Sequence, residues 1–246
     1  MSEKIIQSLS SFPKIYGKSP NLESFYHYIF DKKNNFSAPE IQTYILKNWW
    51  SSNFSSFDEY IEENLTQKEK LSFFNILSWD KLIHITDSNN FGNNQEHDDI
   101  YRGQNMSWFQ FGLLDQWTLV KEASLYVNPK KFSKSINLIN SLEENSWHFL
   151  ARRIKQSIRV DFMVIVEIIQ KFSTISVLQK NTMGQTPIDI LHANISEQRD
   201  SSKTTDSELL KINIQALEAL EKIAFYEKLN QTLVTGSVQK TKSHKI

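Results

Sequence analysis

Six glycines and five prolines in 246 residues leave this chain few places to reverse direction sharply. Folds made of β-strands spend such residues at every tight turn, so the scarcity points to helices joined by modest loops. Apolar positions agree. Ile41, Tyr44, Ile45 and Trp49 recur at spacings of three and four, as do Phe162, Ile165, Val166, Ile169 and Phe172. Each set makes one face of a helix. Start signals precede several of these patterns. Ser37 with Pro39, Thr66 with Glu69, and Thr205 with Glu208 have the spacing of helix caps. The spacing predicts helices over 22–30, 56–64, 66–79, 117–126, 131–142, 145–156, 160–172 and 188–195, with a long last helix from 205. The expected fold is all-α.

The punctuation divides the chain. Residues 87–105 read DSNNFGNNQEHDDIYRGQN, a polar run that breaks the helical rhythm and predicts a long surface loop. An aromatic-rich helical region is therefore expected over 1–105 and a second helical region over 106–235. The basic stretch from 236 to 246 has no apolar pattern and is expected to be a disordered tail.

Composition excludes several functions. Twenty-eight basic and twenty-eight acidic residues cancel, whereas nucleic-acid binders normally carry a basic surplus, so no nucleic acid is expected. The absence of cysteine rules out disulfides, thiolate metal sites and a cysteine nucleophile, and suits a reducing, cytoplasmic compartment. The first residues lack the apolar run of a signal peptide, and the apolar stretch at 162–169 contains Glu167 and is too short to span a bilayer, so no membrane is expected.

The sharpest local signal is Met183-Gly184-Gln185-Thr186-Pro187-Ile188-Asp189-Ile190-Leu191. A glycine turn leads into Thr-Pro at a helix start, where proline's fixed φ and missing N–H do no harm. The stretch resembles the Gly-x-Thr-Pro-Leu-x-x-Ala signature of an ankyrin repeat. Asn181 stands where that family has a loop asparagine or aspartate. Trp147-His148-Phe149-Leu150-Ala151 is similar to the family's Leu-His-Leu-Ala-Ala, with His148 and Ala151 in register. The resemblance covers roughly 115–230. It implies two to three degenerate ankyrin-like helix pairs and assigns Trp147, His148, Ala151, Gly184, Thr186 and Pro187 to the repeat framework. In that family the histidine bonds one loop to the next. The chain departs from the pattern in period: Trp147 and Ile188 lie 41 residues apart, against about 33 in the family. The extra residues are expected to lengthen the helix pair around 154–161.

The resemblance also implies a function, since ankyrin arrays bind proteins. The chain is expected to be a non-enzymatic interaction module that needs no cofactor, its partner another protein. Divergent repeats without cysteine suit, by analogy, an effector that a bacterium delivers into a host cell. Candidate partner-binding residues are Arg152 and Arg153 in a basic stretch, His97, Asp98, Asp99 and Arg102 in the polar loop, and the Trp49-Trp50 pair. Neighbours on a helix point about 100° apart, so those two tryptophans cannot both face one core, and an exposed one would serve as an anchor. The alternative is an all-helical enzyme or enzyme regulator with its site near 87–105. Glu96-His97-Asp98-Asp99 has oxygens and an imidazole, but adjacent side chains rarely converge on one ion, and a solvated loop is the simpler reading. No phosphate loop, His-Glu-x-x-His or Gly-x-Ser-x-Gly pattern is present. His84 and His192 are read as core-edge residues.

Overall fold

The computed structural model describes residues 66–84, 104–115, 117–154, 162–200 and 207–242. Helix dominates them, and the only strands among them are two short paired segments, so the fold is all-α. The chain forms two compact units, Met1–Leu138 and Ile139–Ile246. The boundary is later than the 105/106 division expected from the polar run. The reason is packing: the helices that follow residue 105 share a core with the helix that precedes it.

That first unit contains α1 (Gln67–Ile76), β1 (Ile83–His84), β2 (Asn105–Met106), α2 (Trp108–Asp115), α3 (Trp117–Tyr126) and α4 (Pro129–Ile136). Its core is aromatic. Trp79 lies 6.5 Å from Trp108 and 5.9 Å from Phe132, Phe109 meets Phe132 edge-on, and Phe74 stacks on Tyr126. Trp79, Trp108, Phe109 and Phe132 are fully buried, and tilted contacts of this kind exceed the value of their area alone. A buried Lys70–Glu122 pair at 3.0 Å ties α1 to α3. β1 and β2 pair antiparallel, Ile83 with Met106 and His84 with Asn105. Asn128 and Pro129, which end one helix in the sequence reading, instead start the next. The Asn128 side chain accepts from the Lys130 N–H and Pro129 takes the first helical position. α4 then stops at Ile136, short of the expected 142, because Asn137 caps it.

The second unit contains α5 (Ser146–Ile154), α6 (Phe162–Phe172), α7 (Pro187–Asp200) and α8 (Ser207–Lys242). α5 packs on α6, α7 and α8, and α7 packs on α8. Among its nine residues only Arg152 and Arg153 escape burial, so α5 is the central helix of the unit. The bonds joining α5 and α7 ascend together along both chains. His148 meets Gln185 just before α7, and the Ala151 carbonyl accepts from Asn194 Nδ2 at 3.0 Å farther along. The two helices therefore run in the same direction.

At 36 residues α8 spans about 54 Å. Its buried positions Asn213, Ala216, Leu220 and Ala224 lie on one face, against α5 and α7. The helix passes through Gly236 to Lys242, where the sequence reading expects a disordered tail. One glycine costs a helix only about 1 kcal/mol, and propagation from a packed segment needs no new nucleus. Residues 155–161, where extra length was expected, and the Thr205 cap lie outside the described residues. Within them, part of the long period is taken up by the 173–186 connection. There Glu227 of α8 accepts from Ser176 Oγ at 2.5 Å and from the Val177 N–H at 3.2 Å.

Candidate interaction surface

Two loops of the second unit are built alike, 41 residues apart. In the first, the Asn140 side-chain oxygen accepts from the N–H groups of Leu142 and Glu144 at 3.0 and 2.8 Å. In the second, Asn181 does the same for Met183 and Gln185 at 3.0 and 2.9 Å. Each asparagine also donates its backbone N–H four residues on, to the Glu144 and Gln185 carbonyls, and accepts from the residue three on, Glu143 or Gly184. Such turns suit asparagine, whose short side chain imitates a backbone acceptor. Glu143 and Gly184 both have positive φ, 59° and 73°.

The helix starts correspond too. Thr186 Oγ accepts from the Asp189 N–H while Asp189 accepts from both the N–H and the hydroxyl of Thr186, at 2.8 and 2.7 Å. That is a reciprocal capping box with aspartate in the glutamate position. Asn145 and His148 repeat it. Asn145 Oδ1 accepts from the Trp147 and His148 N–H groups, and His148 Nδ1 accepts from the Asn145 N–H.

The loops lie side by side and are bonded to each other. The Thr182 N–H donates to the Leu142 carbonyl at 2.9 Å, and Asn181 Nδ2 donates to Glu144 Oε1 at 3.2 Å. His148 Nε2 lies 3.1 Å from the Gln185 carbonyl, and a carbonyl only accepts, so that nitrogen carries the ring proton. Burial pushes the His148 pKa below its ordinary 6.5; the Gln185 bond and Glu144 raise it, and Arg152 lowers it. Both ring nitrogens are engaged within the loops, Nδ1 beside Asn145 and Nε2 beside Gln185. Trp147 Nε1 donates to the Ile175 carbonyl at 3.2 Å, tying the preceding connection to the same network.

Under the loops sits a charge pair. Arg152 Nε and Nη2 donate to Glu144 Oε1 at 2.9 and 2.6 Å, with side-chain exposures of 13% for the arginine and 0% for the glutamate. Charge-assisted bonds of this length are strong, and the buried glutamate depends on them. The sequence reading gives Arg152 to a basic stretch that meets a partner. Instead Arg152 turns inward, because Glu144 occupies the loop position that faces it.

The framework residues named from the sequence all belong to this assembly. Trp147, His148 and Ala151 are buried on α5, Gly184 and Thr186 form the turn, and Pro187 is buried as the first residue of α7. Of the partner-binding candidates, Arg152 is held by Glu144 and Arg153 is half-buried. Trp49, Trp50, His97, Asp98, Asp99 and Arg102 lie outside the described residues, as does most of the 87–105 loop on which the enzyme alternative rests. His192, read as a core-edge residue, is exposed and lies 3.7 Å from Glu221. Sequence reasoning missed Asn140 and Asn194, and gave Glu144 and Asn145 no part in the loops. Comparing the chain with itself at an offset of 41 would have paired Asn140 with Asn181 and Glu143-Glu144 with Gly184-Gln185.

What remains outward is a row of loop tips. Ser141, Glu143, Lys180, Thr182, Met183 and Gly184 are exposed, and Met183 keeps 57% of its surface. Among the described residues no three histidine, aspartate or glutamate side chains are placed to hold a metal, and no helix is long and apolar enough to cross a membrane. The chain matches no protein-family model, no curated protein and no solved structure.

Proposed function

We propose that residues 139–246 form a short, ankyrin-like array that binds another protein through the tips of its stacked loops. One observation carries the reading: two loops with the same hydrogen-bond scheme stand side by side, their inward side chains engaged in holding the loops and their tips exposed. Such a platform is rigid before it meets a partner, which lowers the entropy cost of binding. The role is non-enzymatic and uses no cofactor. The lack of cysteine fits action in a cytoplasm, a host cell's if the protein is delivered there as an effector.

A photo-crosslinking residue placed at Met183, and separately at the exposed Met163 of α6, tests this in the native cell. The reading expects one protein adduct from position 183, suppressed by Glu143→Lys and absent from position 163. Equal labelling at both positions, or none at 183, would refute it.

A further inference from the structure

His148 does two tasks at once. Its Nδ1 closes the first turn of α5 beside the Asn145 N–H at 3.3 Å, and its Nε2 grips the Gln185 carbonyl of the neighbouring loop at 3.1 Å. Neither task calls for an imidazole. In the first unit Gln110 does both: its Oε1 accepts from the Ser107 N–H at 2.9 Å at the start of α2, and its Nε2 donates to the Leu138 carbonyl at 2.8 Å. An amide takes up no proton in the physiological range, whereas an imidazole does.

A second proton on the His148 ring has no good place. It would sit on Nδ1, set donor against donor with the Asn145 N–H, and its nearest acceptor is Asn145 Oδ1 at 2.9 Å. That oxygen already accepts from the Trp147 and His148 N–H groups, which hold the first turn of α5. Charge is no more favourable to it. The ring is fully buried. Glu144 favours the proton and Arg152 opposes it, and the glutamate is already bonded to Arg152 and Asn181. On the elements packed against α5, Glu227 of α8 is held by Ser176 and Val177 and Asp189 of α7 by Thr186, and the other described charged side chains of α6, α7 and α8 are exposed. A buried cation without an anion of its own favours any rearrangement that returns it to water. Turning the ring outward is such a rearrangement, and it breaks the bond to Gln185.

We infer that His148 is an acid-operated latch: protonation turns its ring out of the junction, the loops at 140–145 and 181–185 part, and a partner held at their tips is released. The release rests on the loop-tip reading; the parting of the loops does not. Burial holds the ring's proton affinity below the ordinary 6.5, so the latch is closed at neutral pH and opens in mild acid. The buried positions of α6 are all apolar, so that helix does not respond.

Amide hydrogen exchange of the full chain by NMR tests it, each rate corrected for the intrinsic effect of pH. Between about pH 7.5 and about pH 5.5, the Thr182 and Gln185 N–H groups, bonded to Leu142 and Asn181, should lose at least about tenfold more protection than the Ile169 N–H of α6. The nitrogens of the His148 ring should titrate below 6.5 with the same midpoint. His148→Gln, which keeps a donor for the Gln185 carbonyl, should abolish the loss. A photo-crosslinking residue at Met183 should capture less partner in acid, and His148→Gln should remove that difference. Loops that keep their protection overturn the inference, as does an equal loss in His148→Gln. A ring that titrates at or above 6.5 in the unaltered chain overturns it without any variant. Loops that part while the adduct at 183 forms alike at both pH values also overturn it, whereas loops that part with no adduct at either pH refute the loop-tip reading and support the latch.

Discussion

The loops at 140–148 and 181–189 have one backbone and two chemistries. Asparagine opens both and a positive-φ residue turns both, but the first is anchored by a buried charge network and the second by an exposed capping box. Glu144 and Gln185 are equivalent in position. Glu144 receives Arg152 and Asn181, whereas the buried Gln185 Oε1 meets no protein donor. The asparagines differ in the mirror sense: Asn181 Nδ2 reaches back to Glu144, and Asn140 Nδ2 meets no acceptor. The bond that joins the loops is thus made once, between them, and its two halves are left over at the outer edges. Backbone geometry can repeat locally, but the side-chain ladder needs a neighbour.

The largest way to break this comparison is Glu144→Ala. It strands a nearly buried guanidinium and the Asn181 amide, and should cost about 3–5 kcal/mol in urea unfolding. The equivalent Gln185→Ala should cost under about 1 kcal/mol. If the two costs are equal, the loops are not energetically distinct. Next comes His148. Its lowered pKa means the unfolded chain binds more protons, so the stability contributed by the neutral ring is complete above the ordinary value of 6.5 and is lost as pH falls below it. Replacing His148 by glutamine should flatten that part of the pH–stability curve, read from thermal unfolding between neutral and mildly acidic buffer. The smallest effects sharpen the backbone equivalence. Gly184→Ala should cost about 1 kcal/mol, although a methyl group would touch nothing there, because only the positive φ opposes it. Glu143→Gly should change stability the other way by up to about 1 kcal/mol. Opposite signs at the two sites would show that they share one turn.

Much of the local structure was legible. The Thr186-Pro187 start of α7 and the whole of α3 could be read directly, since caps and periodicity act within a few residues. The inter-loop role implied for His148 corresponds to its contact with Gln185. The Arg152–Glu144 pair was not legible, because nothing local says that Glu144, eight residues back, is buried. Packing across the polar run was hidden for a similar reason: 87–105 looks like a divide, yet Trp79 before it packs on Trp108 and Phe132 after it.

By itself the sequence determined the helical class, the absence of disulfides and where several helices begin, because these follow from composition and from contacts spanning one turn of chain. Only the tertiary structure decided which helices share a core, that one 41-residue period recurs in the loops, and that a charge pair is enclosed beneath them. Those outcomes turn on desolvation and, for the bonds that join the two loops and α5 to α7, on partners 37 or more residues away, where the free energy of a side chain is set by what surrounds it and not by its neighbours in sequence.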